Sequence, residues 1–328
     1  MTDLSRRAVM AGMGVAAVAS FAPTASAFAP QSGKQAPGFY RYKVGDIEIT
    51  VVNDGVSRMP IDDGFVRNVP KAQVNAYLES IFMEKDIYAG PYNPIIINTG
   101  KQLALVDTGT GEIGFRSSEG INGRLMLNLA AAGVDPAAID VVILSHYHGD
   151  HINGVIKADN TLAFPNAEIL VPESEHRFWM DDGEMNRAAT PRIEATFKNA
   201  RRVMTPDVLK RVRPYAWGKD VIPGVMAVAT PGHTPGHTSH IVSSGSKSVY
   251  VQADVTHAPF LFARNPGWHF MLDVDPVAAE ATRRKVYEML YAERMLVQGF
   301  HYPFPAVGHL EKAGDGYRET LVQWSPTI

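Results

Sequence analysis

The chain has 328 residues with 31 Lys+Arg against 34 Asp+Glu, a formal net charge of −3, and so lacks the strong basic excess of a nucleic-acid-binding domain. Hydrophobic residues make up 45% and charged residues 20%, an ordinary globular balance that excludes disordered and fibrous classes. Cysteine is absent, which excludes disulfides, thiolate metal sites, iron–sulfur clusters and cysteine nucleophiles together.

In chain order, residues 1–27 carry a twin arginine (Arg6, Arg7), a mildly apolar run from Ala8 to Ala22, and the small-residue triplet Ala25-Ser26-Ala27. That layout is expected of a bacterial export signal of twin-arginine type, cut before Phe28. The run is too short and too rich in Ala and Gly for a stable membrane anchor, which needs about 20 strongly apolar residues. The expected location is therefore periplasmic or secreted, with the twin-arginine export machinery as a partner. Residues 28–38 are rich in Pro, Gly, Ser and Gln and read as a flexible lead-in. Residues 39–328 contain no low-complexity linker and no fixed-period repeat, and are expected to form one domain.

Within that domain, Tyr40–Tyr42 and Ile47–Val52 predict a strand pair around the turn at Gly45. Asn93–Asn98, Leu103–Val106 and Asp140–Leu144 read as short buried strands, and Arg124–Ala132 as a helix stopped by Gly133. Ala167–Val171 predicts a strand and Glu184–Val203 one long polar helix. Val225–Ala229, His240–Val242 and Ser248–Val251 predict strands, Pro276–Glu293 a helix with Pro in its first turn, and Leu296–Gln298 a last strand. Strand clusters with helices between them predict a mixed α/β (α+β) layered domain.

The chemistry is concentrated in the second half. The chain has 11 histidines, and none precedes His146. The densest stretch is Ser145-His146-Tyr147-His148-Gly149-Asp150-His151, directly after the apolar run Asp140–Leu144. In an extended segment residues two apart share a face, so His146 and His148 can reach one cation. Asp150 and His151 follow as the chain turns and can aim at a second position. Imidazole and carboxylate together suit zinc foremost, with manganese, iron and cobalt also compatible.

This H-x-H-x-D-H stretch resembles the signature of the metallo-β-lactamase fold superfamily of metal-dependent hydrolases. Further matching motifs follow in order: Asp107 in VDTG, His233 in TPGHTPGHTS, Asp254 in VQADV and His301 in GFHYP. The resemblance implies a four-layer αβ/βα sandwich with the site at the edge between two sheets. It implies a first metal on His146, His148 and His233, a second on Asp150, His151 and His301, and Asp254 bridging the two. Such a pair would share a hydroxide able to attack a carbonyl or phosphoryl centre, with Asp150 relaying a proton. Asp107 and His237 are expected to support the ligands from behind.

The length and the export signal most resemble members of the methyl parathion hydrolase and lactonase type. Lactones, aryl esters and phosphotriesters are therefore the expected substrates. His257 stands where the homoserine-lactone lactonases of this fold carry a substrate-contacting tyrosine. Trp179, Phe260, Phe262 and Trp268, with Phe270 and Met271, are expected to line an apolar pocket. A glyoxalase-II-like thioesterase is the alternative enzyme, and a non-catalytic periplasmic metal-binding module the alternative of another class. A homodimer is compatible with the sequence.

Overall fold

The computed structural model describes residues 31–328; the export signal expected in residues 1–27 lies outside them, as do residues 28–30. Pro37–Ile328 forms one compact unit. Its first half runs β1 (Phe39–Val44), β2 (Ile47–Val52), β3 (Gly55–Pro60), α1 (Lys71–Ser80), β4 (Ile87–Tyr92), β5 (Ile95–Asn98), β6 (Leu103–Val106), α2 (Gly111–Ser117), α3 (Leu125–Ala131), β7 (Val141–Ile143), α4 (Gly149–Ile152), β8 (Glu168–Pro172) and α5 (Glu173–Met180). The second half runs α6 (Asp182–Asn186), α7 (Pro191–Val203), α8 (Pro206–Leu209), β9 (Val212–Tyr215), β10 (Asp220–Ile222), β11 (Val225–Ala229), β12 (Thr238–Ser244), β13 (Lys247–Ala253), α9 (Pro276–Ala292), β14 (Leu296–Gly299), β15 (Val307–Ala313) and β16 (Gly316–Leu321).

Two seven-stranded sheets carry the fold, one in the order β1-β2-β5-β6-β7-β8-β9 and the other in the order β10 to β16. Side chains alternate across each strand, and the apolar runs supply both faces. Ile95, Ile97, Ala104, Val106, Val141 and Ile143 face the second sheet, where Val225, Ala227, Val242 and Val249 meet them. Their neighbours Ile96, Leu105 and Val142 point the other way, onto Leu129, Trp179, Phe197 and Val203 of the outer helices. On the far side of the second sheet, Tyr250, Val297 and Leu310 pack under Val286, Tyr287 and Leu290 of α9. Helices, sheet, sheet, helix: these are the four layers that the sequence motifs implied.

Two expectations need correction. The segment Glu184–Val203 is not one helix. It breaks after Asn186, and α7 restarts at Pro191 with Thr190 Oγ1 accepting from the Ile193 N–H, a cap that ends any continuous ladder. Nor is Leu296–Gln298 the last strand, because the hairpin β15–β16 follows it. The ribbon β3–β4, paired from Gly55↔Tyr92 to Pro60↔Ile87, was also not anticipated. It packs with α1 and residues 258–270 around a fourth apolar cluster that includes Phe65, Leu78, Tyr88, Leu261, Phe262 and Phe270. No helix of the described residues is long and apolar enough to cross a membrane.

Candidate metal centre

Strands β6, β7 and β8 run parallel in the first sheet, and β13 and β14 run parallel in the second. Their C-terminal ends deliver the chemistry to one edge of the sandwich. Asp107 follows β6, Ser145 to His151 follow β7, His233 follows β11, Asp254 follows β13 and His301 follows β14. Two turns at these ends are strained: Asp107 has φ 61° and Ala253, just before Asp254, has φ 48°. Non-glycine residues in this left-handed region are uncommon and cluster at functional sites.

Seven side chains converge there. His148 Nδ1 lies 2.8 Å from His233 Nε2 and 3.2 Å from His146 Nε2. Asp254 Oδ2 is 3.3 Å from His233 Nε2 and 3.2 Å from His301 Nε2, while its Oδ1 is 3.2 Å from His151 Nε2. Asp150 Oδ2 is 3.4 Å from His301 Nε2 and 3.6 Å from His151 Nε2. The donor atoms fall into overlapping sets: His146, His148, His233 and Asp254; Asp150, His151 and His301; and Asp254, His257 and His301. His257 thus enters the cluster itself, its ring stacked 4.8 Å from that of His301.

The arrangement fits cations rather than a network of direct hydrogen bonds. Tetrahedral zinc at about 2.0–2.1 Å holds its ligand atoms roughly 3.4 Å apart, close to the spacings above. His151 Nε2 and Asp254 Oδ1 are buried, adjacent, and yet without a hydrogen-bond partner. Lone pairs aimed at a common third point leave that signature.

In His146, His151, His233 and His301 the other ring nitrogen is committed elsewhere. His151 Nδ1–H donates to Asp107 Oδ2 at 2.8 Å, and Ser145 donates to the same carboxylate through both its N–H and its Oγ–H. His146 Nδ1 lies 3.0 Å from Ser145 Oγ. His233 Nδ1–H donates to Asp273 Oδ1 at 2.9 Å, and His301 Nδ1–H to the Pro91 carbonyl at 3.0 Å. Such outer partners fix the tautomer and turn the free lone pair inward. His237 does not join the cluster. Its Nε2 accepts from the Asp254 N–H at 3.0 Å, and burial holds it down at about 3, so the acceptor stays unprotonated.

Burial, reinforced by the neighbouring imidazoles, keeps His146 and His148 well below the usual imidazole range. Burial would also lower His151 and His233. Nearby carboxylates overcome it, holding His151 well above its usual value and raising His233 to about 9. Burial first, then the charges of Asp254, Tyr92 and Asp150, push the Tyr88 phenol well above its ordinary value.

Two cavities open from the cluster and share His148, Gly149, Asp150 and Leu272. One, of about 230 Å³, is walled by Met59, Tyr88, Tyr92 and Phe270. The other, of about 540 Å³, is walled by Arg67, Arg192, Ile193, Met271 and Val274. His257 and Phe270 line the first, and Met271 and Trp179 the second, whereas Phe260, Phe262 and Trp268 line neither. Trp179 is fully buried, borders the larger cavity from behind His148, and donates its Nε1–H to Glu175. Phe262 packs one layer back, 5.0 Å from Phe270. Phe260 faces a separate cavity with Tyr77 and Met83, and Trp268 packs edge-on against Tyr77 at 5.7 Å. The residues after Asp254 thus build a core of their own before they build a wall.

Sequence reasoning missed Asp273, Ser145, Tyr88, Tyr92 and Glu175. Only Ser145, inside the motif, carried a local signal. The others reach the site from distant segments. Glu175 accepts from the Tyr147 N–H and from Trp179 Nε1 on Oε1, and from Thr234 Oγ1 and the Gly236 N–H on Oε2.

A family model described as the metallo-beta-lactamase superfamily matches residues 87–294. An N-acyl homoserine lactonase of Bacillus thuringiensis is 26% identical over 184 residues, 50% of this chain and 64% of the relative, so the match spans less than two thirds of that protein. The solved structure of AidC, a dizinc quorum-quenching lactonase in complex with a product, superposes with a TM-score of 0.79 at 26% identity, covering 88% of this chain and 98% of the other. The structure of the hydrolase AbOPH gives 0.80 at 29% identity, covering 89% and 100%.

Proposed function

The chain belongs to the metallo-beta-lactamase superfamily, and from that membership we propose that it is a hydrolase, using two divalent cations to open lactones and cleave aryl esters. The observation that carries the reading is the overlap of two His/carboxylate donor sets with Asp254. Zinc is the metal this donor chemistry suits best. A bound pair would supply a Lewis acid and a water of near-neutral pKa.

The chain's own groups do the rest. Asp107, Asp273 and the Pro91 carbonyl hold three imidazoles in one tautomer and one direction. Asp150 is the most exposed carboxylate of the cluster, at 22%. Its Oδ2 faces His151 and His301, which leaves Oδ1 to take a proton from attacking water and return it to the departing oxygen. The other carboxylates on the cleft walls, Asp254 and Asp273, are held against imidazoles, so good leaving groups and strained rings are favoured over amides, whose amine must be protonated as it leaves. The aromatic and thioether wall of the smaller cavity favours an apolar acyl or aryl group.

A panel of alkyl lactones, aryl esters, dialkyl aryl phosphotriesters, thioesters and penicillins on zinc-loaded protein tests this. Lactones and aryl esters should lead, phosphotriesters should be detectable, and penicillins should barely react. A panel led by thioesters or penicillins would overturn the assignment.

A further inference from the structure

Tyr88 buries a hydroxyl that no described residue satisfies. The residue is 4% exposed and its Oη has no hydrogen-bond partner. An unpaired polar group in such a place carries a desolvation penalty with nothing to offset it, and phenylalanine would avoid that cost. The ring already packs as a hydrocarbon, with its centroid 5.3 Å from Phe65 and 6.2 Å from Phe270. The hydroxyl therefore calls for a separate explanation.

Its surroundings supply one. Tyr88 lines the smaller cavity together with Asp150, Asp254, His257 and His301. Of the hydroxyls on that cavity wall, Thr110 Oγ1 already donates to Asp54 Oδ2 at 2.9 Å. The Tyr88 O–H is buried on that wall and has no partner. Its aim is set by Gly90, two residues along β4 on the same face: a Cβ there would lie 2.7 Å from both Cε1 and Oη of Tyr88. The missing side chain is the space in which the phenol lies.

We propose that the Tyr88 hydroxyl donates a hydrogen bond to the substrate oxygen that gains negative charge as the carbonyl carbon is attacked. The proposal rests on the hydrolase reading above and adds a catalytic residue to it. A donor that is desolvated and unpaired beforehand has no competing bond to break when that charge appears. This also explains why a polar group is tolerated without a partner in the resting protein.

The test uses the full-length protein loaded with zinc, assayed on para-nitrophenyl acetate and on an alkyl δ-lactone. Y88F should lower kcat about 10²-fold on both substrates, with KM held within about threefold. Zinc content should not change, and Tm should be equal or higher, because the change removes an unsatisfied group. G90A keeps the phenol but takes its space, and should reproduce the loss in kcat. A Y88F enzyme with kcat within about threefold of wild type, or one whose loss lies in KM or in zinc content, would overturn the assignment of Tyr88 and leave the hydrolase reading standing. Zinc-loaded wild type inert on both substrates would overturn the hydrolase reading and this inference with it.

Discussion

Asp254 faces His146, His151, His233, His257 and His301 with its two carboxylate oxygens. Removing it leaves the two donor sets unconnected and the imidazoles without their central counter-charge. Asp254→Ala should therefore lose nearly all bound zinc after dialysis. Asp273→Asn, which only releases the far side of His233, should weaken zinc by about 10–100-fold. Zinc titration of the two variants orders them, and full zinc retention in Asp254→Ala would contradict the shared-carboxylate geometry. The donors themselves were legible in the sequence because each lies in a short local motif at the end of a strand. Their outer partners were not. Asp273 stands 40 residues from His233, and the Pro91 carbonyl 210 residues from His301; only the folded chain brings them together.

Helix α5 works as a staple between the two loops that carry the first donor set. Glu175, in its first turn, takes four hydrogen bonds, from Tyr147, Trp179, Thr234 and Gly236. Gly236 is required because a Cβ there would sit 2.2 Å from the Glu175 nitrogen. Burial pushes the Glu175 carboxyl up, and the four donors pull against that. Glu175→Gln keeps the shape but turns an NH₂ toward groups that already donate. It should cost about 1–3 kcal/mol of stability and weaken zinc binding, since both loops lose a common anchor. Unchanged Tm and zinc affinity would show that the loops hold themselves. Helix and strand positions were readable where apolar runs were unbroken, as in Ile95–Asn98 and Val141–Ile143. The ribbon β3–β4 was hidden because Gly55, Pro60, Gly90 and Pro91 interrupt its pattern.

Across the whole molecule, stability should fall between about pH 4.5 and 8 through one residue outside the donor cluster. Glu319, on the outer strand β16, is mostly buried, its Oε1 has no partner, and burial raises its carboxyl from 4.5 to about 8. The folded chain holds this proton where the unfolded chain has released it. Stability therefore falls as pH rises above about 4.5 and stops falling only above about 8. Glu319→Gln should remove that slope and raise Tm at pH 9 by a few °C, corresponding to roughly 1–2 kcal/mol once solvent screening of the partly exposed group is allowed for. A variant whose Tm follows the wild-type pH curve would rule this out.

The β3–β4 ribbon, with α1 and residues 258–270, has an apolar core of its own, distinct from the three cores of the sandwich. One of its ties to the donors is a main-chain carbonyl, that of Pro91, holding His301. A carbonyl is present whatever residue occupies the position. The wall can therefore change its side chains, and with them its taste in substrates, while the grip on the imidazole stays the same. Met59, on the same wall, is a position where the side chain can vary while the main-chain hold on His301 is unaltered.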